Sequence, residues 1–305
     1  MDKAEKDAIL ASMVPVKDTI SPAEVEALLA NETPLQKCFN NRKGPSVNGS
    51  PAIDYHVFSP VKAADTKRYP VLVWLHGMSQ GRCFREPLRG TEVANFASPA
   101  FQEKFDGGAY IVVPRANEDL GTMATVGRFF YSHAWLSGTK EWDGNSQMPE
   151  LAAAIRQFLD EEAANVDLSR VYLAGFSAGG YMTWQTLLAM PDVFAAAAPI
   201  CHALYVPTKA ELEAMADVPL WVICGEKDGL YSPYVLPTIE ALRETHRADL
   251  RVTVLESVLE PDRTPAKSEH HSWVPVTFDM FYGDGAPYDG QYPEGFIAWL
   301  MGHKK

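Results

Sequence analysis

Between Val171 and Gly180 the chain reads Val-Tyr-Leu-Ala-Gly-Phe-Ser-Ala-Gly-Gly: a short apolar run ending in a serine set between glycines, with a helical stretch directly after it. This pattern asks a strand to turn sharply into a helix at Ser177. Gly175 and Gly179, lacking Cβ atoms, let strand and helix approach closely and hold the serine in a strained backbone conformation. A serine hydroxyl is a poor nucleophile until a base takes its proton, so a chain that uses Ser177 must present it where a histidine can reach. A lone Gly-x-Ser-x-Gly pentapeptide also occurs in ordinary strand-to-helix turns, and the rest of the chain decides what this one is for.

With 305 residues, of which 47% are hydrophobic, the chain can bury a large core, and α/β folds of this size are often one domain. The formal charge of −12 is spread along the sequence without an offsetting basic patch, which argues against nucleic acid and anionic membrane surfaces as partners. The charged start Met1-Asp2-Lys3-Ala4-Glu5-Lys6 leads into no sustained apolar segment, and no run approaches the roughly 18 apolar residues of a membrane span, so a cytoplasmic protein is expected. Cys38, Cys83, Cys201 and Cys224 are scattered without metal-ligand spacing and read as buried free thiols.

Ser21-Pro22-Ala23-Glu24 forms a capping box, with Ser21 as N-cap, Pro22 at the first helical position and Val25, Leu28 and Leu29 on one face of the helix that follows. Cys38 to Ser50 is rich in Asn, Gly, Pro and Ser and reads as a loop, so residues 1–50 are expected to be a helical arm and linker and residues 51–305 the main domain. From Ile53 onward apolar runs alternate with amphipathic stretches. Tyr69–Leu75, Ala109–Val113, Val171–Ala174, Phe194–Ile200, Leu220–Cys224 and Leu250–Leu255 are continuous enough to be strands buried on both faces. Glu150–Leu159 places Leu151, Ile155, Phe158 and Leu159 on one stripe, and Phe296–Met301 supplies a closing helix. The alternation predicts a doubly wound, mostly parallel α/β sheet flanked by helices, with its active groups beyond the carboxyl ends of the strands.

Ser177 needs a base, an acid to orient that base, and donors for an oxyanion. The strand Leu220–Cys224 runs into Gly225-Glu226-Lys227-Asp228, which makes Asp228 the candidate acid and Glu226 its reserve. Glu269-His270-His271-Ser272-Trp273 lies between the last strand and the final helix, so either His270 or His271 is placed to be the base. A metal site is not expected there, because adjacent side chains rarely converge on one ion and no further ligand cluster stands nearby. Tyr69–Leu75 runs into His76-Gly77-Met78, and the backbone N–H groups of Met78 and Ala178 are the candidate oxyanion donors. His76 reads as a structural histidine bonded to loop backbone.

Together, His76-Gly77, Gly175 through Tyr181, Ala198-Pro199-Ile200-Cys201, Gly225 through Asp228 and His270-His271-Ser272-Trp273 resemble the α/β-hydrolase superfamily. The resemblance runs from about Tyr55 to the C-terminus. It is nearest to the prolyl-oligopeptidase-like and carboxylesterase-like single-domain members, a group that includes feruloyl esterases and polyester depolymerases. It implies a cofactor-free serine hydrolase that cleaves a small-molecule carboxylic ester, of small acyl or hydroxycinnamoyl type, through Ser177, His270 and Asp228. His270 is selected because esterase and peptidase members carry the base three residues before a tryptophan, whereas depolymerase-like members carry it two before, which would select His271. The chain departs from the family pattern in two places: Gly77 is followed by Met78-Ser79-Gln80 rather than a longer glycine run, and Glu260 to Ser268 looks inserted ahead of the histidines.

Peptide hydrolysis is the alternative chemistry, although peptide-cleaving relatives usually carry a propeller or an N-terminal binding domain. A noncatalytic ligand-binding fold is a further alternative, which the retention of a candidate for each triad member disfavours. Phe129, Phe130, Tyr131, Trp135 and Trp142, in a long stretch ahead of Glu150, are candidates for walling an acyl or aryl pocket, with Tyr205 and Tyr231.

Overall fold

The computed structural model describes residues 21–50, 52–60, 66–78, 80–81, 83–89, 91–116, 147–202, 205–281, 288 and 294–305. The apolar runs pair into one eight-stranded sheet: β1 (Asn40–Lys43), β2 (Asp54–Phe58), β3 (Tyr69–Leu75), β4 (Tyr110–Pro114), β5 (Val166–Phe176), β6 (Ala196–Ile200), β7 (Leu220–Gly225) and β8 (Leu250–Leu255), in the spatial order β1-β2-β4-β3-β5-β6-β7-β8. β1 pairs antiparallel with β2 and β2 antiparallel with β4, and every later pairing is parallel. Each residue of β3, β4, β6 and β7 is buried, as expected of parallel strands covered by helices on both faces. Trp74, Trp184, Trp221 and Trp299 are wholly inside this core.

The strand order explains where a ligand could sit. β3 lies between β4 and β5, so the chain leaves β3 toward one edge and, after β4, crosses back over it to the other. Helices departing in opposite directions open a crevice at such a switch, at the carboxyl ends of β3 and β5. Ser177 is the residue after β5.

Helices follow the expected stripes. α1 (Pro22–Ala30) has the full capping box, Ser21 and Glu24 each bonding the other's backbone N–H, but it buries no residue and Leu29 is exposed. α2 (Met148–Glu161) buries Leu151, Ile155, Phe158 and Leu159, and α3 (Ala178–Ala189) starts immediately after Ser177. α4 (Gly295–Met301) closes the described chain with Phe296, Ile297, Trp299 and Leu300 inward.

Some sequence readings are corrected: Cys38 is an exposed rather than a buried thiol, and Leu250–Leu255 is mostly half-buried rather than covered on both faces. Residues 40–43, expected within a loop, are strand β1, which pairs along β2 from Asn40↔Val57 to Lys43↔Asp54. Asn-Asn-Arg-Lys carries no strand signal; its backbone is satisfied only because the edge of β2 is open beside it. Among the described residues no helix is long and apolar enough to cross a membrane.

Candidate functional site

Ser177 occupies a backbone conformation that side chains rarely adopt, with φ 55° and ψ −118°. The strain is held by the surroundings: Ser177 N–H donates to Ile200 O at 3.0 Å, and Tyr181 N–H donates to Ser177 O at 3.0 Å in the first turn of α3. A Cβ on Gly175 would come within 2.4 Å of Gly179 O, and one on Gly179 within 2.1 Å of Leu75 O. Glycine at both places is therefore what lets α3 begin directly against the ends of β3 and β5. The predicted strand-to-helix elbow is present.

Asp228 follows β7 in a tight turn in which its N–H donates to Gly225 O at 3.2 Å and its Oδ1 accepts the N–H of Leu230 at 3.0 Å. Its other oxygen, Oδ2, lies 2.7 Å from His270 Nδ1. An ionised carboxylate only accepts, so Nδ1 carries a proton, and Nε2 becomes the acceptor once the ring is neutral. Gly225 makes the contact possible: a Cβ there would stand 2.4 Å from Glu269 O, so the loop bearing His270 can cross the end of β7 only over a residue without a side chain.

That loop is also tied to the elbow. Trp273 stacks on Phe176, the residue before Ser177, with ring centroids 4.2 Å apart, and meets the His270 ring edge-on at 5.9 Å. The indole N–H of Trp273 donates to Glu92 Oε2 at 3.1 Å. The structure thus brings His270 to Asp228 and joins their loop to the serine turn through a stacked pair. Among the described residues no hydrogen bond links Ser177 Oγ to the imidazole.

A residue not read as functional from the sequence also stands here. Cys201, fully buried and itself at a positive φ of 35°, follows β6. Its N–H donates to Ile223 O at 2.7 Å, and its Sγ, a carboxylate oxygen of Asp228 and a ring nitrogen of His270 all lie within 4.8 Å of one another. Burial disfavours a charged His270, but Cys201 and the Asp228 carboxylate outweigh it and push the imidazole pKa up to about 10. The signal available beforehand was position: Cys201 caps β6 as Ser177 caps β5 and Asp228 follows β7.

Cysteine, carboxylate and imidazole are also zinc-type donors. Two ligands of one tetrahedral zinc ion sit about 3.3 Å apart, given bonds of about 2.0–2.1 Å. The 2.7 Å separation of His270 Nδ1 and Asp228 Oδ2 is instead that of a hydrogen bond.

The other candidates fall elsewhere. His271 lies against Trp273 at 4.7 Å, and burial together with the neighbouring His270 lowers its pKa. Glu226, the reserve acid, is exposed. His76 is a backbone clamp: Nδ1 lies 2.7 Å from Gly77 O and Nε2 accepts the N–H of Ala116 at 3.0 Å. Ala178 opens α3, and Met78 lies in the turn after β3, across the contact of Gly179 with Leu75 O. Tyr205 packs edge-on against Tyr181 at 5.0 Å, buried, while Tyr231 is half-buried. Phe129, Phe130, Tyr131, Trp135 and Trp142 lie outside the described residues. Beside the histidine loop opens a cavity of about 440 Å³, lined by His271, Trp273, Glu92 and, from the stretch read as an insertion, Glu260, Thr264 and Lys267.

A solved structure described as a thermostable esterase superposes with a TM-score of 0.67 at 24% identity, covering 89% of this chain and 64% of that one. The fold is that of the α/β-hydrolases. An acylaminoacyl peptidase of Pyrococcus horikoshii shares this α/β-hydrolase fold, with a TM-score of 0.53 at 16% identity over 90% of this chain and 46% of its own. Residues 124–228 match the model of the prolyl oligopeptidase family. Among curated proteins, the chain is 28% identical over 176 residues to a bifunctional acetylxylan esterase/xylanase of Neocallimastix patriciarum, covering 57% of this chain. It is 48% identical over 56 residues, 18% of this chain, to poly(3-hydroxyalkanoate) depolymerase C of Paucimonas lemoignei. The aligned segments span 21% of the first relative and 14% of the second.

Proposed function

We propose that this α/β-hydrolase is a serine hydrolase of carboxylic esters, with Ser177 as nucleophile, His270 as general base and Asp228 as the acid that orients it. The observation that carries the reading is the 2.7 Å contact between His270 Nδ1 and Asp228 Oδ2, made at the end of β7, two strands along the sheet from the strained serine that follows β5. In this reading Nε2 of His270 takes the Ser177 proton as Oγ attacks the ester carbonyl. The backbone N–H groups of Ala178 and Met78 receive the negative charge that develops on the carbonyl oxygen. Collapse of the tetrahedral species expels the alcohol, protonated by the imidazolium, and leaves an acyl group on Ser177. Water, deprotonated by the same imidazole, then releases the acid and restores the serine.

Ester rather than peptide substrates are supported by the curated relatives, one described as a bifunctional acetylxylan esterase/xylanase and one as a poly(3-hydroxyalkanoate) depolymerase. The match to the prolyl oligopeptidase family model favours peptide hydrolysis as the second reading. The cavity beside the histidine loop offers room for a small-molecule substrate, and no cofactor enters the scheme. Turnover of acetyl, aryl and feruloyl esters measured beside peptide anilides decides between the two: ester cleavage with inert anilides is expected, and the reverse preference overturns the ester assignment.

A further inference from the structure

Glu92 is held in a backbone conformation that residues other than glycine rarely adopt. Its φ of 53° and ψ of 8° lie in the left-handed region, where such a residue remains only when its surroundings impose it. The surroundings are specific. Thr91 Oγ1 donates to Pro87 O at 2.8 Å and accepts the N–H of Val93 at 3.4 Å, Asn95 N–H donates to Glu92 O at 2.9 Å, and the buried Val93 and Phe96 anchor the turn in the core. The turn brings the Glu92 carboxylate to the histidine loop, where Oε2 accepts the indole N–H of Trp273 at 3.1 Å. Three residues on, Asn95 Nδ2 donates to Thr277 O at 3.3 Å. One turn thus grips the short helix Trp273–Thr277, which follows His270 and His271, at both its first and its last residue.

We propose that Glu92 is a positioning residue of this site: it fixes the Trp273 indole, and through that ring the spacing between the His270 loop and the serine turn. The proposal rests on the hydrolase reading of Ser177, His270 and Asp228. Trp273 stands between the two. Its face stacks on Phe176, the residue before Ser177, at 4.2 Å, and the His270 ring meets it edge-on at 5.9 Å. Stacking sets the separation of two rings but lets one slide or turn over the other, and a hydrogen bond from the indole edge removes that freedom. An ionised carboxylate suits this purpose, since charge-assisted bonds are about twice as strong as neutral ones. Asp228 orients the imidazole by its bond to Nδ1, whereas Glu92 fixes the loop that carries the ring, from a segment of chain far from both in sequence. Glu92 also lines the cavity beside His271, so a role in binding would show in KM and a role in positioning in kcat.

Three substitutions, assayed on a small acetyl ester, test this role. Glu92→Gln keeps an oxygen that accepts the indole N–H, Glu92→Gly removes the side chain while relieving the backbone, and Trp273→Phe keeps a ring on Phe176 but has no N–H to donate. Glu92→Gly is expected to fold with a native circular dichroism spectrum and to lower kcat about ten- to a hundredfold with KM little changed, as misplacement of the base requires. Glu92→Gln is expected to retain most of the wild-type kcat. Trp273→Phe should lose kcat as well, and adding Glu92→Gly to it should cost little more, because the bond is already gone. Wild-type kcat in Glu92→Gly overturns the proposal, as does a loss confined to KM, or an unfolded Glu92→Gly protein, whose carboxylate would then be serving the fold. A Glu92→Gln protein as slow as the glycine variant, or single effects that multiply in the double variant, overturns it too. Fluorophosphonate labelling of Ser177 separates the two claims. Wild-type protein that is neither labelled nor active removes the hydrolase reading and this role with it, whereas wild-type labelling with an unaffected Glu92→Gly protein removes only the role of Glu92.

Discussion

Trp273 stacks on Phe176 with ring centroids 4.2 Å apart and an interplanar angle of 30°, joining the residue before the candidate nucleophile to the loop that carries the candidate base. Both rings are buried, so the pair contributes packing energy as well as alignment. Phe176→Ala and Trp273→Ala are each expected to cost about 3–5 kcal/mol of unfolding free energy. A double-mutant cycle by urea denaturation should return a coupling of about 0.5–1.5 kcal/mol, and a coupling near zero would mean that the rings only share a neighbourhood.

Gly225 tests whether the histidine loop must cross β7 as closely as it does. Gly225→Ala puts a methyl where Glu269 O now lies 2.4 Å from the ideal Cβ position, and backbone cannot move aside as a flexible side chain can. Displacing His270 from Asp228 should lower kcat about a hundredfold while the far-ultraviolet circular dichroism stays native. Wild-type turnover in a folded variant would show that the close approach has no bearing on the chemistry.

The choice between neighbouring histidines is a separate test. His270 faces Asp228, whereas His271 packs on Trp273 and lines the cavity, so His270→Ala should abolish ester turnover and His271→Ala should act mainly on KM. Near-total loss in the His271 variant with a mild effect in the His270 variant reverses the assignment. The pH dependence follows from the same geometry. The base must be neutral to take a proton, and its pKa is raised from 6.5 to about 10, so activity should climb with pH through a midpoint above the ordinary histidine value. A midpoint below 6.5 contradicts the arrangement.

Stability should respond to pH through different histidines. His76 and His202 are wholly buried, and desolvation lowers each from 6.5 to about 4. In His76, Nε2 accepts the Ala116 N–H, so adding a proton there would set two donors against each other. The unfolded chain takes up these protons near pH 6.5 and the folded protein only near 4. Each group therefore removes stability as pH falls through that window, up to about 3 kcal/mol. His270 works in the opposite direction, adding stability below 6.5 that is lost as pH rises toward 10. Thermal melts from pH 7 to 4 should show a falling midpoint that is shallower in His76→Gln, and an identical slope in that variant would remove His76 from the account.

Much of this architecture is legible in the sequence where burial is two-sided. Tyr69–Leu75 is bounded as its apolar run suggests, and Leu220–Gly225 is longer by one residue, because parallel strands covered on both faces must be apolar throughout; Leu250–Leu255 has the expected bounds, but as the edge strand it carries Arg251 and is mostly half-buried. The elbow is legible because its glycines answer a steric demand that no other residue meets. β1 is not, since Asn40–Lys43 is polar and largely exposed and owes its conformation to a partner strand. Nor is Cys201: a lone cysteine reads as a small buried hydrophobe, and what gives it meaning is the adjacency of strand ends β6 and β7, set by sheet order rather than by spacing along the chain.

The account stands or falls on Ser177. Incubating the protein with a fluorophosphonate and mapping the adduct by mass spectrometry should place it on Ser177, with labelling lost in Ser177→Ala and ester turnover reduced on the order of 10⁶-fold. An adduct on a different serine, with turnover retained in Ser177→Ala, would contradict the assignment of this turn as the nucleophile's seat.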